Sequence, residues 1–240
     1  MNVNIKKPII EQIETMTNSI CGFSDLEQLY SIFLLLCANI NVCGNVIEIG
    51  SWCGKTSSVL GLAAQLTKVE KVICIDLFPN KNDWFKNADK SYSFNVTIDG
   101  IKYNAYTEQT AWEEPYNKSV VPVYKHNENL LNIFLKNMKN LGYENFIFPV
   151  RGDSSVIKHY VPTTFRCKFA FIDGDHGYNA VYKDIKNIEP YLVSGALLCF
   201  DDAFTSFDGV NKALQELIID NPEYDFYQQL TRKLFVARRR

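Results

Sequence analysis

No pair among the seven cysteines is spaced as Cys-x-x-Cys, and the chain has only three histidines. Neither residue type shows the ligand spacing of a structural zinc site. The cysteine count is odd, and Cys74 and Cys199 lie inside apolar runs where a thiol serves as a small hydrophobe. A reducing compartment suits this pattern better than a disulfide scaffold. There is no surplus of positive charge: the formal net charge is −2, which gives no drive toward a phosphate backbone. The terminal run Arg238, Arg239, Arg240 reads as a solvated tail. Long apolar runs are missing too. Nothing of signal-peptide type follows Met1 to Pro8, and Ile32 to Cys37 is too short to span a bilayer. The expectation is a cytoplasmic protein with no nucleic-acid or membrane partner. No internal repeat or low-complexity tract stands out.

What is present suits one α/β domain over residues 1–240, with 47% hydrophobic residues to fill its core. An N-terminal helical segment spans 1–44. Within it Ser24-Asp25-Leu26-Glu27 has the form of a capping box, and an apolar stretch follows to about Ala38. Buried-strand runs follow at Val46–Ile49, Val72–Ile75, Asn145–Val150, Phe169–Ile172 and Ala196–Phe200. Helical stretches separate them, near Thr56–Leu66, Asn127–Leu141 and Asn179–Tyr191. Val210, Ala213, Leu214, Leu217 and Ile218 mark one face of a further helix, and strand-like pieces at Tyr224–Gln228 and Leu234–Ala237 end the chain. Strands that alternate with helices and are apolar throughout imply a mostly parallel sheet covered on both faces. The predicted fold is therefore α/β, a Rossmann-like, doubly wound, seven-stranded sheet closed by a C-terminal antiparallel hairpin.

Residues 80–125 break this rhythm. The stretch has weak periodicity and many aromatics, including Trp84, Tyr92, Tyr106, Trp112 and Tyr116. It is too long for an ordinary connection and reads as an insertion, either a lid over the strand ends or a homo-oligomer contact.

Ligands bind at the carboxyl ends of strands in such sheets, and here those ends carry acids: Asp76, Asp173, Asp201 and Asp202, with Glu48 inside the first strand. Each acid alone reads equally well as a helix N-cap. Together at one edge they read as a site. The first strand runs into Gly50-Ser51-Trp52-Cys53-Gly54-Lys55-Thr56, whose glycines permit a tight turn and close approach of a ligand. The ending Gly-Lys-Thr suggests a phosphate loop, but only three residues separate the glycines where that motif needs four. Gly-x-Gly-x-x-Gly is absent as well. A nucleoside site remains: Asp76, 26 residues after Gly50, is placed to accept hydrogen bonds from ribose hydroxyls.

Three carboxylates from two adjacent strand ends, Asp173 in Asp173-Gly174-Asp175-His176 and the pair Asp201-Asp202, suit a hard divalent cation such as Mg2+. Such an ion would lower the pKa of an acceptor hydroxyl, and His176 would take its proton. Asp175 reads either as a partner of His176 or as a cap of the next helix, while His126 and His159 have no such setting.

Glu48 to Gly54 resembles the first motif of class I S-adenosylmethionine-dependent methyltransferases, in the form found in small O-methyltransferases. The acidic cluster resembles the macrocin O-methyltransferase-like branch, which acts on sugar hydroxyls of natural products. More distantly it resembles catechol-type enzymes, which carry an amide at the position of Asp202 and a lysine near that of His176. The likeness spans about Asn45 to Phe204 and is poor through the insertion. It implies S-adenosylmethionine held by Glu48, Gly50, Ser51, Gly54, Asp76, Asp153, Ser154 and Asp173. It also implies a cation on Asp173, Asp201 and Asp202, His176 as base, and a small hydroxylated acceptor. Three rivals stay open: a nucleoside-binding module that uses the insertion to hold a partner, a metal-free methyltransferase, and a phosphate-loop hydrolase.

Overall fold

The structure is a computed structural model describing residues 8–107 and 110–240. Met1 to Lys7, where a leader segment was sought in the sequence, and Glu108 and Gln109 of the insertion lie outside the described residues. Two helices come first, α1 (Ile9–Asn18) and α2 (Leu26–Ala38). α1 lies within the helical segment expected over 1–44. α2 begins one residue later than the expected capping box. Asp25 is its N-cap and accepts from the Gln28 amide, while the Ser24 hydroxyl pairs with that of Thr56 at 2.9 Å.

The core then runs β1 (Asn45–Ile49), α3 (Lys55–Thr67) and β2 (Val72–Asp76). The insertion holds β3 (Trp84–Lys86), β4 (Tyr92–Ile98), β5 (Ile101–Ala105) and the short α4 (Glu113–Pro115). After it come α5 (Leu130–Asn140), β6 (Ile147–Arg151), α6 (Ile157–Tyr160), β7 (Cys167–Ile172) and α7 (Tyr178–Ile188). β8 (Leu192–Phe200), α8 (Asp208–Leu214), β9 (Tyr224–Gln229) and β10 (Phe235–Arg239) complete the chain.

Seven strands form one sheet in the order β6-β2-β1-β7-β8-β10-β9. The first five are parallel, and β10 runs antiparallel to both of its neighbours. This is the Rossmann-like sheet with its C-terminal antiparallel hairpin. Side chains alternate across each strand. Val46, Cys74, Phe169, Phe171 and Cys199 join α2, α3 and α5 in one core, while Ile47, Ile75, Ala170, Ile172, Leu198 and Phe200 join α7 and α8 in the other. Burial on both faces explains why these strands read as continuous apolar runs. The strand order reverses between β1 and β7, so their carboxyl ends flank the crevice where such sheets bind ligands.

The insertion contains its own three-stranded antiparallel sheet, β3-β4-β5, built on Phe94, Val96 and Ala105. The β4–β5 turn is Asp99-Gly100, both at positive φ (49° and 80°), as a tight hairpin of the primed type requires. The arginine run is also more ordered than a solvated tail. Arg238 and Arg239 belong to β10, Arg238 grips Asp225 through two hydrogen bonds, and Arg239 pairs with Glu189 and Glu223. Cross-strand acids on β9 and its neighbours supply the partners that a tail would lack.

Candidate active site

At the switch point the glycine loop and the end of β7 touch. Gly50 has φ +86, and a Cβ there would stand 1.8 Å from the Asp173 carbonyl oxygen. Only glycine permits this approach. The Gly50 amide donates to the Ile75 carbonyl and the Asp173 amide to the Ile49 carbonyl, both at 2.9 Å. The loop is thereby fixed between β2 and β7. Gly54, at φ +89, is pressed on by Met138 and Phe134 of α5.

Asp76 meets this loop. One oxygen accepts from the Trp52 amide at 2.8 Å and the other from the Phe78 amide at 2.6 Å. Burial raises the Asp76 pKa against these bonds. The carboxylate therefore sits at the end of β2, tied to the loop and to the residues just after the strand. Asp153 follows β6, and the Gly152 amide donates to the Asp76 carbonyl, which puts that stretch beside β2. Asp153 accepts from the Ser155 amide and hydroxyl, and buried Ser154 accepts from Asn187. Glu48 is fully buried and accepts a hydrogen bond from the Ser57 hydroxyl on one oxygen. Its other oxygen and the buried Ser51 hydroxyl have no hydrogen-bond partner among the described residues. Two orphaned polar atoms at a loop this tight are features that a polar ligand would satisfy.

Lys55 and Thr56 do not face a nucleotide phosphate site. A Cβ on Gly22 would strike the Lys55 side chain, and Thr56 is bonded to Ser24. Trp52 stands in the loop at φ +48, with its ring against Phe23, Trp84 and Tyr124. The segment before α2 and the insertion thus both pack on the loop.

Asp173, His176 and Asp202 converge. Their ligand atoms all lie within 4.8 Å of one another, and His176 Nε2 is 3.3 Å from Asp202 Oδ2. Asp202 has φ +54, a conformation that aspartate tolerates, and this kink parts its side chain from that of Asp201. Asp201, expected as a third cation ligand, lies beside Asp173 and accepts from Gln28 on one oxygen and from Lys233 on the other. Burial and then the Asp201 charge hold the Asp173 carboxyl well above its usual range, and the same causes raise Asp202. Burial works to lower the Lys233 pKa, but the charges of Asp201, Asp173 and Asp202 outweigh it and the net shift is upward. A void of about 10 Å³, the size of one water, lies between Asp173, Asp175, His176 and Asp201 on one side and Ile172, Val181, Phe200 and Val210 on the other.

Asp175 does not partner His176. It accepts from the Gly177 amide at 2.9 Å and the Tyr106 amide at 2.7 Å, so it caps its own turn and ties down the insertion. The His176 ring instead lies 4.3 Å from that of Phe207 and 6.2 Å from that of Tyr106. His126 and His159 are exposed. Gln28, Lys233 and Tyr106 are the participants that sequence reasoning missed. Gln28 left a trace, a polar residue on the apolar face shared by Leu29, Ile32 and Leu36. Tyr106 left only its place among the insertion's aromatics, and Lys233 left none, since each reaches the cluster from a distant turn.

The sequence matches a methyltransferase-domain family over residues 47–203, from β1 to just past the acid pair. No curated protein matches it by sequence. Among solved structures, the O-methyltransferase NovP superposes with a TM-score of 0.59 at 14% identity, over 89% of this chain and 80% of that one. The TDP-rhamnose 3′-O-methyltransferase of calicheamicin biosynthesis gives 0.59 at 14% identity, over 98% and 88%. TomG of Streptomyces achromogenes, an O-methyltransferase of tomaymycin synthesis solved with S-adenosylmethionine, gives 0.55 at 11% identity, over 99% and 92%. At such identities these likenesses establish the fold. The family match covers well over half of the chain, with the glycine loop, Asp76 and the Asp173–Asp202 cluster inside it, and the chain belongs to the methyltransferase-domain family.

Proposed function

We propose that this chain transfers a methyl group from S-adenosylmethionine to a hydroxyl oxygen of a small molecule, with a divalent cation beside the acceptor. The observation that carries the reading is the convergence of Asp173, His176 and Asp202 at the switch point, one residue contact away from the glycine loop. Glu48, Gly50, Ser51, Gly54 and Asp76 would hold the methionine and ribose parts of the cofactor, with Asp153 and Ser154 on the adenine side. The orphaned atoms of Glu48 and Ser51 fit such a polar ligand. S-adenosylmethionine supplies an electrophilic methyl on a sulfonium, so the chain needs no phosphate clamp.

The donor set of the cluster fits a divalent ion. The carboxylates favour Mg2+ or Mn2+, and the His176 imidazole beside them is left free to act as base. When bound, such an ion lowers the pKa of a hydroxyl beside it. His176 accepts the hydroxyl proton on its imidazole, and Asp202 at 3.3 Å stabilises the cation that forms. Phe207 and Tyr106 fix the ring, so positioning contributes to the rate. A natural-product sugar is the acceptor class we favour. The activity of the TDP-rhamnose 3′-O-methyltransferase and the likeness to the macrocin-type branch support it. We place the whole chain in one domain. The insertion is read as a lid, supported by the Tyr106–Asp175 tie across the strand ends.

The Tyr106–Asp175 tie of the insertion across the strand ends favours a second reading, in which the chain is a cofactor-binding module without turnover. Calorimetry with S-adenosylhomocysteine, with ATP for comparison, and an acceptor screen decide between the two. The first reading expects S-adenosylhomocysteine binding, silent ATP and turnover on a hydroxylated acceptor. His176→Ala should then lower kcat about 10²–10⁴-fold with cofactor affinity unchanged. Intact turnover in that variant would sink the base assignment, and binding without turnover on any acceptor would favour the module.

A further inference from the structure

Tyr106, in the insertion just after β5, has φ +56, a left-handed backbone that a bulky residue rarely adopts. Such strain persists where the surroundings fix it, and both backbone groups of Tyr106 are held. Its amide donates to Asp175 Oδ2 and its carbonyl accepts from the buried Ser93 hydroxyl, both at 2.7 Å. Asn87 Nδ2 donates to Ser93 Oγ at 2.9 Å and holds that hydroxyl in turn. The Tyr106 ring packs on Phe94 and Trp84, with centroids at 5.7 and 6.1 Å, and meets the His176 ring edge-on at 6.2 Å. Trp84 also lies 6.3 Å from Trp52 of the glycine loop. A row of rings thus crosses from the glycine loop to His176. Burial and then the charges of Asp173, Asp175, Asp76 and Asp202 hold the Tyr106 hydroxyl above its usual pKa, so it keeps its proton. Asp76 ends β2 and Asp173 follows β7, the neighbours of β1 on either side. A phenol in the field of both stands over the end of β1, in a region of negative potential.

We infer that Tyr106 is a cofactor-binding residue whose hydroxyl oxygen faces the sulfonium of S-adenosylmethionine, so that the charged cofactor seats the insertion and the product, neutral at sulfur, loosens it. The inference rests on the S-adenosylmethionine reading above. The sulfur of that cofactor is bonded both to the ribose carbon C5′ and to the methyl that is transferred. With the ribose at Asp76 and the acceptor at His176, the sulfur lies between them, where the phenol stands. A protonated phenol beside carboxylates turns its hydrogen toward them and its lone pairs away, and lone pairs suit a cation. Methyl transfer removes that charge. The methyl leaves, the sulfur keeps the bonding electron pair as a neutral thioether, and the acceptor proton passes to His176. The attraction at Tyr106 fades with the charge, and the insertion, joined to Tyr106 through Ser93, loses that hold on the site.

The test is calorimetric titration of three ligands into the full chain. They are S-adenosylmethionine, its amine analogue sinefungin, which carries an ammonium at the sulfonium position, and S-adenosylhomocysteine, which is neutral there. Tyr106→Phe keeps the ring and its contacts with His176, Trp84 and Phe94 and removes only the oxygen. It should weaken the two ligands with a cation at that position about tenfold, the worth of one polar contact to a charged group, and S-adenosylhomocysteine by less than about twofold. Limited proteolysis within residues 80–125 reads the insertion. In wild type S-adenosylmethionine should slow cleavage more than S-adenosylhomocysteine does, and in Tyr106→Phe the two should protect alike. An equal loss for all three ligands would assign Tyr106 to packing and overturn the inference, as would unchanged affinities. Equal protection of wild type by both cofactor forms would overturn the seating of the insertion by charge. Failure of the S-adenosylmethionine reading looks different: wild type would bind none of the three.

Discussion

Glu48 lies at the centre of the sheet with no solvent exposure, and burial raises its carboxyl pKa from an ordinary 4.5 to about 7, with the Ser57 hydrogen bond opposing the shift. A carboxyl that is harder to ionise in the folded chain makes stability depend on pH in a fixed direction. Below pH 4.5 both states carry the proton and the contribution is constant. Between 4.5 and about 7 the unfolded chain has released its proton while the folded one retains it, so stability falls as pH rises. Above that window it is flat. The difference corresponds to roughly 3 kcal/mol, at about 1.4 kcal/mol for each tenfold change in proton affinity. Glu48→Gln removes the ionisation and keeps the shape. Urea unfolding of both proteins from pH 4.5 to 8 should show the variant gaining on wild type by roughly 3 kcal/mol across the window. Asp184, also buried and raised to about 7, titrates in the same window but is present in both proteins and cancels in the difference. A difference that stays constant from pH 4.5 to 8 would refute the reasoning, and with it a Glu48 that is protonated in the folded chain at mildly acid pH.

Gly50→Ala places a methyl group 1.8 Å from the Asp173 carbonyl oxygen at a φ of +86. It should lower stability by about 3 kcal/mol or more, and an unchanged urea midpoint would contradict the described contact between the loop and β7. Asp175→Ala leaves the Tyr106 and Gly177 amides without their acceptor. Limited proteolysis followed by mass spectrometry should then show faster cleavage within residues 80–125, with a stability loss of about 1–3 kcal/mol for each amide left unpaired. Equal cleavage rates would mean that the insertion is held by its aromatic packing alone.

The parallel core was legible because each strand is buried on both faces and reads as an unbroken apolar run, as at Val72–Ile75 and Phe169–Ile172. The small sheet of the insertion was harder to read. β4 buries only one face, and its alternation is short. Its one local signal was the Asp99-Gly100 pair, which the structure uses as a hairpin turn. α1 lies within the helical segment expected over 1–44 but has no side-chain cap to mark its start, and the Arg238–Arg240 run reads as a tail because its acidic partners, Asp225 and Glu223, lie at another strand.

In the site the division follows the same physics. The sequence alone determined which strand ends carry carboxylates, because an acid just after an apolar strand lies at the sheet's carboxyl edge whatever the details of packing. It also determined the loop, since Gly50 and Gly54 are backbone requirements that only glycine meets there. What the acids do to one another was decided by tertiary structure. Asp201 and Asp202 are equivalent in sequence, and they are sorted by Gln28 from the second helix, Lys233 from the last hairpin and one positive φ at Asp202. Those contacts join residues up to 173 positions apart. Coulomb forces and hydrogen bonds act over a few ångströms of space, and separation along the chain carries no record of them.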